Sequence, residues 1–233
     1  MHTSETVRAT EHPVRIAIDG IVLDGELAIP PLARGIVVFA HGSGSSRKSP
    51  RNRFVARELA RSSFGTLLLD LLSREEEQLD AATGALRFDI PFLANRLSAA
   101  TDWVVAEPAL RSLPIGYFGA STGAAAALVA ASHRREEIRA IVSRGGRPDL
   151  AGSALRRVRC PVLLIVGSAD VGVLELNRDA LAQLGGPKAL ELVPRATHLF
   201  EEPGALEDVA QLARSWFDQH LPSHRKGSPH DAW

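Results

Sequence analysis

Residues 115–130 read IGYFGASTGAAAALVA: a short apolar run, then Gly-Ala-Ser-Thr-Gly, then a row of small residues. The apolar run is typical of a buried strand, and the small residues after it predict a helix over residues 122–132. Ser121 lies at the junction, with Gly119 and Gly123 two positions away on either side. A tight turn from strand to helix leaves no room for side chains at those two positions. The pattern therefore predicts that Ser121 is held at a sheet edge, above the amides of a helix N-terminus. The alternative is a packing turn that merely happens to be bracketed by glycines.

Strands and helices alternate on both sides of this junction. Further short apolar runs predict strands at residues 35–40, 65–70, 138–143, 162–167 and 189–193. Helical spacing of apolar residues predicts helices at residues 51–62, 89–107, 174–184 and 203–220. This alternation favours the α/β class, with a mostly parallel, doubly wound sheet covered by helices on both faces. Reactive groups in such sheets gather at the carboxyl ends of the strands.

Two segments depart from the alternation. Residues 14–18 and 23–29 alternate between apolar and polar side chains around Asp19 and Gly20, which predicts an antiparallel hairpin at the N-terminal edge of the sheet. Residues 71–88 are polar and are interpreted as a loop with a short helical turn.

Length and charge narrow the range of functions. The 233 residues suit a single α/β domain over residues 1–221, followed by a mobile tail at residues 222–233. Basic and acidic residues number 27 each, so no global field favours nucleic acid or an anionic membrane as partner.

Because the chain has neither an apolar run of about 20 residues nor a secretory signal, we expect a cytoplasmic protein without a membrane span. The surplus of Ala, Arg and Leu suggests a bacterial genome, and we expect a monomer or homodimer. The single cysteine, Cys160, is interpreted as a buried structural thiol.

A serine hydroxyl needs a base before it can act as a nucleophile. The chain has eight histidines, of which four lie near the termini and two, His133 and His220, at predicted helix ends. His198 follows an apolar strand and precedes a helix, which places it at the carboxyl edge and makes it the candidate base. His41 precedes a glycine-rich loop and is expected to orient that loop rather than to react.

The base in turn needs an acceptor that fixes its tautomer and stabilises its charged form. Asp170, in the segment LLIVGSADVGV, follows the end of a buried strand and is the candidate. Its alternative role is to cap the next helix. Asp70 also ends a strand, but it precedes the serine and is expected to bind backbone in its loop. The order Ser121, Asp170, His198 is nucleophile, acid, base.

The glycine-rich segment VVFAHGSGSS, residues 37–46, supplies a fourth element. It matches neither of the glycine-rich nucleotide-binding patterns, G-x-G-x-x-G and G-x-x-x-x-G-K-[ST]. We interpret it as an oxyanion loop, in which the amide of Ser43, or that of Gly44, pairs with the amide of Thr122. Two such donors stabilise a developing alkoxide by roughly 3 kcal/mol each.

Together the segments HGSGSS, GASTG, GSAD and ATHLF resemble the α/β-hydrolase superfamily, specifically its dienelactone hydrolase-like branch, over residues 14–221. The resemblance implies esterase-type chemistry through Ser121, Asp170 and His198. Dienelactone hydrolases proper carry cysteine as nucleophile, whereas this chain carries serine. The chain is also similar to small hydrolase modules that occur alone or joined to phosphoribosyltransferase domains, although no phosphoribosyltransferase signature is visible here.

Three segments are expected to form the walls of the substrate site: residues 45–54, residues 143–150, and residues 71–78 together with 87–90. Residues 144–160 number only seventeen, too few for a lid domain, so we expect an open site. Arginines in two of these walls are candidates for binding an anionic substrate group, the alternative being internal ion pairs: Arg47, Arg51, Arg144 and Arg147.

The sequence therefore predicts a serine hydrolase that cleaves small carboxylic esters or lactones through an acyl-enzyme. An acyltransferase with a non-water acceptor and a non-catalytic binding protein on a hydrolase fold are the alternatives. Neither a metal nor an organic cofactor is implied, and the expected partner is a small-molecule ester.

Overall fold

One sheet of eight strands forms the centre of the molecule. The computed structural model describes residues 10–221, so the predicted tail at residues 222–233 lies outside the described residues. The strands are β1 (Thr10–Ile18), β2 (Ile21–Ile29), β3 (Ile36–Ala40), β4 (Gly65–Leu69), β5 (Ile115–Ala120), β6 (Ile138–Arg144), β7 (Val162–Gly167) and β8 (Lys188–Val193). They are ordered β1-β2-β4-β3-β5-β6-β7-β8.

The pairing confirms the predicted mixture of strand directions. β1 and β2 form the antiparallel hairpin, and β2 also pairs antiparallel with β4. All other neighbours, from β4 and β3 through to β7 and β8, are parallel. The carboxyl ends of β3, β5, β6, β7 and β8 therefore meet at one edge, where the candidate site residues follow them.

Helices cover both faces of the sheet. They are α1 (Pro50–Arg61), α2 (Arg74–Thr83), α3 (Ile90–Ala106), α4 (Thr122–His133), α5 (Val171–Gln183) and α6 (Ala205–His220). β3 shows why its sequence is continuously apolar. Val37 and Phe39 join the core under α1 and α6, whereas Ile36 and Val38 join the core under α3 and α4. Every residue of the strand is buried, because successive side chains point to opposite, equally covered faces.

The region of residues 71–88 corrects the sequence interpretation, because it contains the ten-residue helix α2 and a 3₁₀ turn. Ser73 and Glu76 form a reciprocal capping box, in which each side chain accepts a hydrogen bond from the other residue's amide. Asp80 is buried and accepts hydrogen bonds from the Leu86 amide (2.6 Å) and from the Arg87 side chain (2.5 Å). The predicted loop with a short helical turn therefore understated the helix, and the Ser-x-x-Glu pattern is the signal that identifies it.

The connection between β6 and β7 folds back onto the body of the domain. Helical turns at Pro148–Arg157 pack against α4 and α5, with Ala151, Ala154 and Leu155 buried. These residues stay on the domain surface and form no separate lid, as the length of the segment predicted. Between residues 10 and 221, no helix is long and apolar enough to cross a bilayer.

Candidate active site

Ser121 occupies a strained turn between the last residue of β5 and the first residue of α4. Its backbone angles are φ 50° and ψ −122°, a region that costs a non-glycine residue about 1–3 kcal/mol. The neighbouring chain holds it there: the Ser121 amide donates to the Arg144 carbonyl (3.3 Å), and the Ser121 carbonyl accepts from the Arg147 amide (3.0 Å). The side chain is half-buried at the carboxyl edge of the sheet.

The flanking glycines are required by close backbone contacts, as the sequence predicted. A methyl carbon on Gly123 would lie 2.2 Å from the Ala40 carbonyl oxygen, and one on Gly119 would lie 2.4 Å from the Cα atom of Ala124. A methyl carbon on Gly42 would lie 2.9 Å from the Cβ atom of Ser121. The end of β3, the elbow and the start of α4 therefore touch backbone to backbone.

Asp170 and His198 are brought into direct contact from the ends of two neighbouring strands. The distance between His198 Nδ1 and Asp170 Oδ2 is 2.7 Å. Asp170 precedes the first residue of α5, yet its side chain makes no capping hydrogen bond to that helix. The carboxylate thus orients the imidazole, which donates Nδ1–H and leaves Nε2 as an acceptor for a proton.

Ser121 and His198 border the same strand end without being hydrogen-bonded to each other in this structure. Arg144, the last residue of β6, accepts the hydrogen bond from the Ser121 amide. Its successor Gly145 lies against the histidine loop: a methyl carbon there would be 3.6 Å from His198 Cε1. The structure therefore joins the acid to the base and places the serine beside the same strand end.

The two candidate oxyanion donors lie next to each other. The Ser43 amide donates to Thr122 Oγ1 at 2.8 Å, so this amide is engaged by the threonine hydroxyl. Thr122 is the first residue of α4, where a backbone amide has no partner within its own helix. Sequence reasoning paired the two amides but missed the threonine hydroxyl, which anchors the loop to the elbow.

His41 holds the oxyanion loop in place through both of its ring nitrogens. Its Nε2 accepts from the Leu71 amide (3.0 Å), so Nδ1 carries the hydrogen and donates to the Gly42 carbonyl (2.9 Å). Both ring nitrogens are used by backbone, in agreement with the expectation that this residue orients the loop. Asp70 adds a second tie through the Arg47 amide (2.6 Å) and the Arg47 guanidinium.

We expect the stability of the protein to depend on the protonation of His41. Burial lowers the pKa of His41 below its ordinary value, and this effect exceeds the opposing influence of the Gly42 hydrogen bond and Asp70. The unfolded chain then binds a proton more readily than the folded chain does, so stability is present above about pH 6.5 and is lost as pH falls below it. The loss due to this group reaches at most about 1.4 kcal/mol per pH unit.

Urea unfolding of the wild type and of His41→Gln at pH 8 and pH 5 measures this contribution. Glutamine can donate and accept at the same two backbone groups but does not titrate. The wild type should lose more unfolding free energy between the two pH values than the variant does. Equal losses would show that His41 titrates alike in the folded and unfolded chain.

Three of the four candidate arginines are neutralised by carboxylates. Arg47 pairs with Asp70 and Asp24, Arg147 pairs with Asp149, and Arg51 pairs with Glu201. Arg144 differs, because its contacts are the Asn52 side-chain oxygen at 3.4 Å and the ring of Phe200 at 5.8 Å. The interpretation as internal ion pairs therefore holds for Arg47, Arg51 and Arg147 and fails for Arg144.

A cavity of about 550 Å³ adjoins the oxyanion loop. Its walls are residues 41–46 and 48–51 on one side, and Leu72, Glu77, Arg87 and Leu93 on the other. Two of the three predicted walls, the basic segment after the oxyanion loop and the segment around α2, therefore line one cavity, although Ser121 and His198 are not among its lining residues. Residues 143–150 do not line this cavity.

Cys160 and the possible metal ligands are weaker candidates for catalysis. Cys160 is partly buried, and burial raises the pKa of its thiol to about 12, which keeps the thiol protonated at neutral pH. Within residues 10–221, His, Cys, Asp and Glu side chains nowhere form a group of three or more that could hold a metal ion.

Comparison with known proteins identifies the fold. A dienelactone hydrolase from Anabaena variabilis has the same fold, with a TM-score of 0.90 and 56% sequence identity, over 92% of this chain and 99% of that one. Est1E from Butyrivibrio proteoclasticus shares the fold at 17% identity, with a TM-score of 0.75 over 89% of this chain and 98% of its own. The described sheet and its helices thus form an α/β-hydrolase fold.

Two Mycobacterium tuberculosis proteins, provisionally named phosphoribosyl transferases, are 56% identical over 211 residues. The match covers 91% of this chain but 47% of each relative, so the chain spans less than half of their length. The sequence model of the Dienelactone hydrolase family matches residues 23–221, which is most of the chain. The protein therefore belongs to the dienelactone hydrolase family.

Proposed function

We propose that this protein is a serine hydrolase that cleaves small carboxylic esters or lactones through an acyl-enzyme. The observation that carries the proposal is the 2.7 Å hydrogen bond between His198 and Asp170 beside the strained turn at Ser121. An aspartate that orients a histidine at the same sheet edge as an elbow serine is the arrangement that nucleophilic acyl chemistry needs.

In the proposed reaction the Ser121 hydroxyl rotates toward His198 Nε2 and gives up its proton as its oxygen attacks the ester carbonyl. The charge on the imidazole is stabilised by Asp170, which stays ionised. The substrate oxyanion takes the place of Thr122 Oγ1 at the Ser43 amide and also meets the Thr122 amide. The protonated His198 then donates to the leaving alcohol, and water activated by the same histidine cleaves the acyl-enzyme.

The nucleophile type supports ester chemistry. Serine stands where dienelactone hydrolases proper carry cysteine, and its hydroxyl depends on the adjacent base for activation. The transferase name of the mycobacterial relatives describes proteins more than twice the length of the matched region. We assign that name to the part of those proteins that this chain does not cover.

A fluorophosphonate probe tests the nucleophile directly. We expect it to label the protein on Ser121, as read by peptide mass spectrometry, and to abolish hydrolysis of short p-nitrophenyl esters. Labelling should be lost after replacement of His198 by alanine, because the hydroxyl then lacks its base. Protein that neither reacts with the probe nor hydrolyses any ester or lactone of a panel would contradict the proposal and favour a binding role.

The acyltransferase alternative is separated by product analysis. Added alcohols and thiols compete with water for the acyl-enzyme, and each acceptor yields a distinct product. Free acid as the main product supports hydrolysis, whereas transfer as the main reaction at low acceptor concentration supports the alternative.

A further inference from the structure

Arg144 is a buried cation that has no counter-ion in the part of the chain that the structure describes. Its residue is 7% exposed, and two of its nitrogens, Nε and Nη1, have no hydrogen-bond acceptor among residues 10–221. Burial, with a smaller contribution from Arg51, lowers the pKa of Arg144 to about 10, so the guanidinium remains charged at neutral pH. A buried charge without a partner is unfavourable for the folded protein, which makes it an indicator of a missing anion.

The guanidinium is directed toward the first turn of α1. Its Nη2 lies 3.4 Å from the Oδ1 atom of Asn52, the third residue of that helix. Arg51 in the same turn lines the cavity, and its own Nε also lacks an acceptor in the described part of the chain. The dipole of the helix end acts in the same direction as the two arginines. Because Pro50 has no N–H and Ser49 Oγ already accepts from the Asn52 amide, the arginine side chains are the main donors here.

The same corner of the cavity holds further groups suited to an anion. Lys48 lines the wall beside Arg51, as do the hydroxyls of Ser45, Ser46 and Ser49. On the opposite wall Asp80 is neutralised by Arg87, whereas the Glu77 side chain is exposed. The positive groups therefore concentrate at the α1 end, next to the oxyanion loop.

The charge of this corner identifies the anion. Lys48 and Arg51 line this corner, whereas Arg144 lies outside the cavity lining and contacts Asn52 in the same helical turn. With Glu201 as the paired carboxylate, these three basic groups leave a net charge of about +2. A phosphate monoester carries about −1.5 to −2 at neutral pH, whereas a carboxylate carries −1. The dianion also offers three acceptor oxygens, enough for two guanidinium groups and a serine hydroxyl.

We propose that the first turn of α1, with Arg51 and Arg144, binds a phosphate monoester group, and that the natural ester substrate carries this group. The substrate assignment rests on the proposed esterase function, whereas the binding site does not. Arg51 would exchange Glu201 for the phosphate. That exchange is easy because the pair is at 3.1 Å with Glu201 largely in solvent, where ion pairs contribute little.

Binding of inorganic phosphate to the intact protein tests the site without reference to hydrolysis. Isothermal titration calorimetry should show phosphate binding to the wild type, and acetate, the carboxylate probe, should bind about tenfold more weakly. Arg51→Gln and Arg144→Gln should each weaken phosphate binding about tenfold or more. The matched control is Arg147→Gln, whose guanidinium is already paired with Asp149, and its phosphate affinity should equal that of the wild type.

Several results would overturn the site: no phosphate binding to the wild type, equal affinity in all variants, or acetate bound as tightly as phosphate. If Arg144→Gln does not fold, Arg144→Lys keeps the charge but loses the two-pronged geometry, and its affinity should fall between those of wild type and Arg51→Gln. Phosphate binding by a protein that fails the fluorophosphonate test would retain the site and reject the esterase function. A protein that reacts with the fluorophosphonate probe but does not bind phosphate would retain the esterase function and reject the site.

Discussion

Replacing Ser121 by alanine should lower kcat/KM for p-nitrophenyl acetate by about 10⁴-fold or more. The proposed mechanism has no second nucleophile, since Cys160 is kept protonated by burial. The hydroxyl itself makes no hydrogen bond on which the described fold depends. The variant should therefore unfold at the same urea concentration as the wild type.

A matched serine controls for the loss of a hydroxyl as such. Ser62 lies at the C-terminal end of α1, away from the catalytic edge, and its hydroxyl donates to the Glu58 carbonyl. Ser62→Ala should keep wild-type activity. Activity of Ser121→Ala within tenfold of the wild type would remove this serine from the mechanism.

Replacing Ser121 by glycine separates the effect of backbone strain on stability from the effect of the lost hydroxyl on activity. At φ 50° and ψ −122° alanine keeps the backbone cost of serine, whereas glycine adopts these angles freely. Ser121→Gly should therefore be as inactive as the alanine variant but more stable by about 1 kcal/mol. Equal stability of the two variants would show that the elbow stores no strain.

The parts of this site that sequence predicts are those controlled by local backbone geometry. Gly119 and Gly123 identify the elbow because only glycine fits where β3, β5 and α4 touch. Asp170 and His198 lie in the short segments that follow β7 and β8, and the parallel sheet brings the ends of these two strands to one edge. Their contact follows from the topology more than from the residues between them.

The parts that sequence does not predict depend on long-range partners. Arg147 and Asp149 are two positions apart, but Arg47 pairs with Asp70 across 23 positions and Arg51 with Glu201 across 150, so no spacing rule shows which arginine lacks a carboxylate. The hydrogen bond from the Ser43 amide to the Thr122 hydroxyl joins residues 79 positions apart. Helix α2 is different, because its capping box is a local pattern that the sequence shows. Its polar composition nevertheless favoured the interpretation as a loop.

Of the substitutions proposed for this protein, replacing Gly123 by alanine should lower the unfolding free energy most. Its new methyl carbon would lie 2.2 Å from the Ala40 carbonyl oxygen and 2.5 Å from that of His41, both backbone atoms that side-chain rotation cannot move. Either β3 or the start of α4 must shift, and we expect the unfolding free energy to fall by about 3 kcal/mol or more. Because the same shift displaces the Thr122 amide and the oxyanion loop, activity should fall even in the fraction that stays folded.

Gly172 is the matched control for this substitution. It lies in the first turn of α5, next to the catalytic edge, but a methyl carbon there would meet no atom within 4 Å. Gly172→Ala should raise the unfolding free energy by about 0.5–1 kcal/mol, since alanine is the better helix former. Urea unfolding of both variants then compares the same added methyl group at two helix starts. The two changes in unfolding free energy should have opposite signs, because backbone atoms crowd the start of α4 but not that of α5. A loss of less than 1 kcal/mol for Gly123→Ala would mean that the backbone around Ser121 can shift to accommodate a side chain.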